Sequence, residues 1–91
     1  MRIYVDRQSQ TPLYLQIRNQ MRQLILSQSL RPGFRLPPER KLADLLGVNR
    51  STVVNAYREL EADGLIESHV GRGTSVKFTP TDVGAENLTI P

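Results

Sequence analysis

Two helical apolar stripes separated by only three residues restrict the fold of this chain more than any other feature. Leu42, Leu45 and Leu46 make one stripe, and Val53, Ala56, Tyr57 and Leu60 make the next at i, i+3, i+4 and i+7. Between them lies Gly47-Val48-Asn49. Gly47 is expected to end the first helix in a left-handed cap, and Asn49 to cap the second. So short a join fixes the angle at which the two rods cross. If both stripes face one core, the stretch from Asn49 to Asn55 points outward. Val48 reads as a single buried-type residue in the turn.

The flanking sequence supplies the rest of a small domain. Thr11-Pro12 reads as a helix start, with Thr11 as cap and Pro12 at the first helical position. Leu13, Ile17, Met21, Leu24 and Ile25 then predict a helix from Pro12 to Ser27. Arg31-Pro32-Gly33 is a turn. Pro38 opens the second helix, and Glu39 complements its positive end. The third helix is expected to run to about Asp63 and stop at Gly64. Beyond Gly64 the pattern alternates: Ile66, Ser68 and Val70 on one strand, Thr74, Val76 and Phe78 on another, with Gly71-Arg72-Gly73 as the hairpin tip. The expected fold is therefore mainly α with a small β-hairpin: three helices and a two-stranded antiparallel wing. Residues 1–10 read as an arm with an apolar patch at Ile3-Tyr4-Val5, residues 11–78 as the folded domain, and residues 79–91 as a linker.

Composition excludes several chemistries. Ninety-one residues hold no cysteine and one histidine, His69. Disulfides, zinc knuckles and thiol nucleophiles are ruled out, and His69 alone builds no metal site. No Ser-His-acid set has workable spacing, and the only Gly-x-Gly lies in a hairpin rather than ahead of a helix. The sequence thus predicts no enzyme and no cofactor in this chain. There is no run of eighteen apolar residues and no apolar leader, so a cytoplasmic location is expected.

Charge points to a polyanion. All twelve bases fall within residues 1–78 beside seven of the nine acids, a local surplus of five. Six of the bases (Arg31, Arg35, Arg40, Lys41, Arg50, Arg58) stand between positions 31 and 58, against Glu39, Asp44 and, just beyond, Glu59. A helix-turn-helix that presents Asn49, Arg50, Ser51, Thr52 and Asn55 suits the major groove of double-stranded DNA. Arg pairs bidentately with guanine, Asn with adenine, and hydroxyls serve bases or phosphates. Arg72 between two glycines suits a minor groove or a phosphate. Each site residue has a plainer reading beside this one. Arg50 opposes the helix macrodipole; Arg40 can pair with Asp44, and Arg58 with Glu59 or Glu61. Ser51 and Thr52 can bond their own backbone. Tyr57 reads as core and His69 as an ordinary strand residue. A winged helix used for protein–protein contact is the competing function.

The series Leu36-Pro37-Pro38-Glu39-Arg40-Lys41-Leu42-Ala43, Leu46 through Val53, Ala56 through Glu61, Gly64-Leu65-Ile66 and Gly71-Arg72-Gly73-Thr74 resembles the GntR family of bacterial transcription regulators over about residues 10–78. The resemblance implies a winged helix-turn-helix that binds an operator. It implies DNA contacts at Arg40, Arg50, Ser51, Thr52, Gly71 and Arg72; Lys41, Asn49 and Asn55 join these from position alone. Some family members carry a base-reading arginine where this chain has Val54, so their operators do not transfer. Pro12-Leu13-Tyr14-Leu15-Gln16-Ile17 and Ala56-Tyr57 are similar to both the MocR type, which is fused to a pyridoxal-phosphate-binding domain, and the short YtrA type. Either type implies an effector or oligomerisation domain after residue 91 and a homodimer in the full-length protein.

Overall fold

In the computed structural model, residues 2–77 are described; Phe78 and the expected linker 79–91 lie outside them. Three helices and a small sheet follow in the order α1 (Leu13–Leu26), β1 (Arg35–Leu36), α2 (Glu39–Leu46), α3 (Arg50–Ala62), β2 (Ile66–His69) and β3 (Gly73–Val76). Each helix boundary falls close to its sequence signal. Pro12 and Pro38 are the cap residues themselves rather than first helical residues, at φ −54°, ψ 145° and φ −58°, ψ 150°. Proline's fixed φ fits the extended cap conformation as well as the first turn. No side chain caps α1, so Thr11 does not fill the role expected of it.

The sheet has three strands, not two, in the order β1-β3-β2, all antiparallel. Leu36 lies opposite Thr74 and Arg35 opposite Ser75, while Ser68 faces Thr74 across the other edge. Two residues are too few to show alternation, which is why β1 carries no period-2 signal. Its pairing is set by tertiary structure: Gly33 N–H donates to Val76 O at 2.8 Å and Val76 N–H to Phe34 O at 2.9 Å. β1 thereby ties the base of the wing to the segment leading into α2.

One core joins these elements. Ile17, Met21 and Ile25 of α1 meet Val53, Ala56 and Leu60 of α3, with Leu36, Ile66 and Val76 of the sheet closing one end. The third helix buries the four residues its spacing predicts. The second does not: Leu42 and Ala43 are buried, Leu46 is half-buried, and Leu45 is 69% exposed. At about 100° per residue, the arc through Leu42, Ala43 and Leu46 turns Leu45 toward solvent. Leucine identity had stood in for position.

The arm is docked through glutamine. Ile3 is buried in the core and Val5 packs against it. Tyr4 N–H donates to Gln20 Oε1 at 2.9 Å, and Gln20 Nε2 donates back to Tyr4 O. Asp6 N–H donates to Gln16 Oε1 at 2.7 Å, and Gln16 Nε2 returns a bond to Asp6 O at 2.9 Å. Four residues of helix rise about 6 Å and two of extended chain about 6.6 Å, so amides at i and i+4 match peptide groups at i and i+2. Each glutamine acts as one rung of an edge strand.

Candidate nucleic-acid interface

The turn between α2 and α3 is made by a single left-handed residue. Gly47 sits at φ 69°, ψ 35°, where a side chain would be strained. Its N–H reaches Asp44 O at 3.3 Å, and Val48 N–H reaches Ala43 O at 3.0 Å. This wraps the end of α2 in a Schellman-type cap, with Val48 half-buried beneath it. Asn49 is extended at φ −68°, ψ 147° and occupies the cap position of α3, but its side chain makes no capping bond. The amide is left for another partner.

Most of the predicted site is exposed on α2 and on the first turns of α3. Arg40, Lys41, Asn49, Arg50, Ser51 and Asn55 are exposed, and Thr52 is half-buried. Among the described residues, the side-chain hydrogen bonds of α3 belong to Tyr57, Glu59 and Glu61, all on its later turns. Ser51 and Thr52 therefore do not spend their hydroxyls on their own backbone. Arg50 stands 4.0 Å from Glu39, with its side chain 63% exposed. That distance leaves its donors largely free and gives the guanidinium a direction. The Arg40–Asp44 pair is not among the ion pairs of the described residues, and Glu59 is taken by Arg18 at 3.1 Å rather than by Arg58.

Tyr57 is core, as expected, and does more than fill space. Its hydroxyl donates to Pro37 O at 2.7 Å, which ties α3 to the residues that open α2. Burial, and secondarily the charge of Glu39, push its phenol well above the usual tyrosine range. The two helices are thus fastened at both ends: by Gly47 at the turn and by Tyr57 at the far end.

The wing stands beside them. His69 pairs with Gly73, so Gly73 belongs to β3 and the tip is Val70-Gly71-Arg72, one residue earlier than expected. Arg72 N–H donates to His69 O at 3.0 Å, and Gly71 at φ 76° supplies the positive φ that a type II turn demands of its third residue. Val70, expected to share a strand face with Ile66, is fully exposed at the tip. His69 Nε2 lies 3.1 Å from Glu67 Oε1. Ser68 N–H donates to Glu61 Oε2 at 3.1 Å and anchors β2 to α3. A cleft of about 410 Å³ separates the wing from the start of α2, lined by Arg35, Glu39, Ser68, Arg72 and Thr74 among others. Arg50 beside Glu39, and Arg72 on the cleft that Glu39 also lines, bring the free first turn of α3 and the arginine-tipped hairpin to the start of α2, a helix on which Arg40 and Lys41 are exposed.

Two features of this site escape the sequence. Arg35 borders the cleft, a place that its sequence context, which offers only its charge, does not disclose. Arg7 of the arm donates through Nη2 to Gly47 O across forty residues of sequence. No local pattern announces that bond.

Comparison with known proteins gives consistent matches. The family model described as "Bacterial regulatory proteins, gntR family" matches residues 13–76. The HTH-type transcriptional repressor YtrA of Bacillus subtilis is 46% identical over 74 residues, which are 81% of this chain and 57% of that protein. The probable rhizopine catabolism regulatory protein MocR of Rhizobium meliloti is 40% identical over 80 residues, 88% of this chain and 16% of that protein. The chain thus spans little more than half of the first relative and a small part of the second. Among solved structures, YtrA of Sulfolobus acidocaldarius, a GntR-family transcription factor, superposes with a TM-score of 0.79 at 38% identity, covering 94% of this chain and 90% of that one. The AraR DNA-binding domain in complex with operator ORE1 superposes with a TM-score of 0.68 at 28% identity, covering 84% of this chain and 93% of that one.

Proposed function

The chain belongs to the gntR family of bacterial regulatory proteins, and from that membership we propose that it is the operator-recognising part of a transcription regulator, working through a winged helix-turn-helix. α3 enters the major groove with Asn49, Arg50, Ser51, Thr52 and Asn55 toward base edges and nearby phosphates. Arg40 and Lys41 hold register on phosphates, and Gly71 and Arg72 approach the neighbouring minor groove. The observation that carries this reading is the uncommitted polar surface at the start of α3, set beside an arginine-tipped wing. The AraR complexes with operator DNA support it by likeness of fold.

The remaining expectations are parts of the same proposal. The full-length regulator is a homodimer on paired half-sites about one helical turn apart, while this chain binds one half-site weakly. A pyridoxal-phosphate domain of the MocR kind would lie outside these ninety-one residues, and we assign no cofactor and no catalysis to them. Among the described residues no helix is long and apolar enough to cross a membrane, in keeping with work on DNA in the cytoplasm. The test is selection from random duplex DNA followed by titration at several salt concentrations. A recovered motif and a steep fall of log affinity with log salt are expected. Failure of every duplex at low salt, with a protein partner captured through the same face, would replace this reading by the protein–protein one.

A further inference from the structure

We infer that the N-terminal arm is a fourth DNA-contacting element, with Arg7 as its phosphate ligand. This rests on the DNA-binding reading and adds to it a residue from outside the three helices and the wing.

Several observations converge on Arg7. The arm is fixed rather than loose: Ile3 is buried, and the backbone of Tyr4 and Asp6 is bonded in both directions by Gln20 and Gln16. The residue that follows the last of these rungs is Arg7. Its Nη2 donates to Gly47 O, in the turn two residues before Asn49 and three before Arg50. That bond places a full positive charge beside the end of α3 that meets DNA. It also uses one of five guanidinium N–H donors. Arg7 is exposed, and among the described residues it has no carboxylate partner. A guanidinium held by one hydrogen bond, with the rest of its fork free, is suited to a phosphodiester oxygen. A purely structural arginine at this place would cap the carbonyl end of α2 and nothing more. The two roles differ in whether charge is displaced on binding.

The experiment is a fluorescence titration of a short random-sequence duplex, since phosphate contacts do not depend on base sequence. The 91-residue chain is compared with Arg7→Gln and Arg7→Lys over a range of salt. Arg7→Gln keeps an N–H donor on a shorter side chain but carries no charge; Arg7→Lys keeps the charge. The expected result is a severalfold loss of affinity for Arg7→Gln, with the slope of log affinity against log salt flatter by about 0.9, and an unchanged slope for Arg7→Lys. Thermal melting of each variant accompanies the titration. An Arg7→Gln slope equal to that of the unaltered chain, or a loss of affinity that merely follows a lowered melting temperature, would overturn the assignment of Arg7 while leaving DNA binding intact. Failure of the unaltered chain to bind at all would overturn both.

Discussion

The helix pair and the wing meet the same surface but are held very differently. α2 and α3 are clasped at both ends, by the glycine cap at the turn and by the Tyr57 hydroxyl on Pro37, and α3 drives four side chains into the core. The wing is rooted where Ile66 and Val76 are buried, but its outer half is exposed, and Val70 touches nothing at the tip. Reading base edges needs donors fixed to within tenths of an ångström, and a clasped helix provides that. Following a groove whose width varies with sequence needs compliance, which a lightly held hairpin provides. On the proposed function, a stiffly held helix and a lightly held hairpin thus share the work of reading.

The largest expected effect tests the stiff half. Leu60 is fully buried on α3, so Leu60→Ala should cost about 2–5 kcal/mol by urea unfolding, comparable with the stability of a domain this small. A loss below about 1 kcal/mol would mean that α3 is not clasped as described.

Next come the two arginines. Arg50→Ala should cost about 1–3 kcal/mol on a selected duplex and relax preference at one base pair. Arg72→Ala should weaken all sequences alike and flatten the salt slope by about one unit. If the two variants behaved identically, the division into base reader and groove follower would fail.

A smaller effect separates the clasp from the core. Tyr57→Phe removes the bond to Pro37 and should cost about 0.5–1.5 kcal/mol. The phenol is held protonated in the folded chain, so its contribution is complete below the unfolded tyrosine value of about 10 and declines as pH rises above it. Urea midpoints measured on both sides of that pH should fall more steeply for the unaltered chain than for Tyr57→Phe. Equal declines would assign the alkaline loss to other groups.

The smallest changes are expected at Leu45 and Val70. Both are exposed, and Leu45→Ala or Val70→Ala should leave stability within about 0.5 kcal/mol, whereas buried Leu42→Ala should be costly. A large loss at Leu45 would restore the stripe expected from sequence.

What the sequence disclosed follows from which forces act locally. Val53, Ala56, Tyr57 and Leu60 were legible because one helix face repeats a single demand at fixed spacing. The turn was legible because few residues other than glycine end a helix in the left-handed region. Leu45 was misread because eight residues of helix allow more than one apolar arc. β1 was missed because a two-residue strand exists only through its partner. At the candidate site, exposure of Arg50, Ser51 and Asn55 could be foreseen from the opposite stripe. The bond from Arg7 to Gly47 could not, since it joins residues forty apart and depends on how the arm docks.

That docking is addressed to peptide groups and not to side chains. The two glutamine rungs recognise Tyr4 and Asp6 only as amides, and Ile3, with Val5 packed against the core beside it, gives the arm its apolar foothold. A graft of foreign sequence upstream of Leu13 should therefore seat itself in the same groove, provided it can extend and supplies aliphatic residues at the Ile3 and Val5 positions. What would be lost is the charge delivered at position 7, which makes the arm a largely interchangeable handle for a committed Arg7.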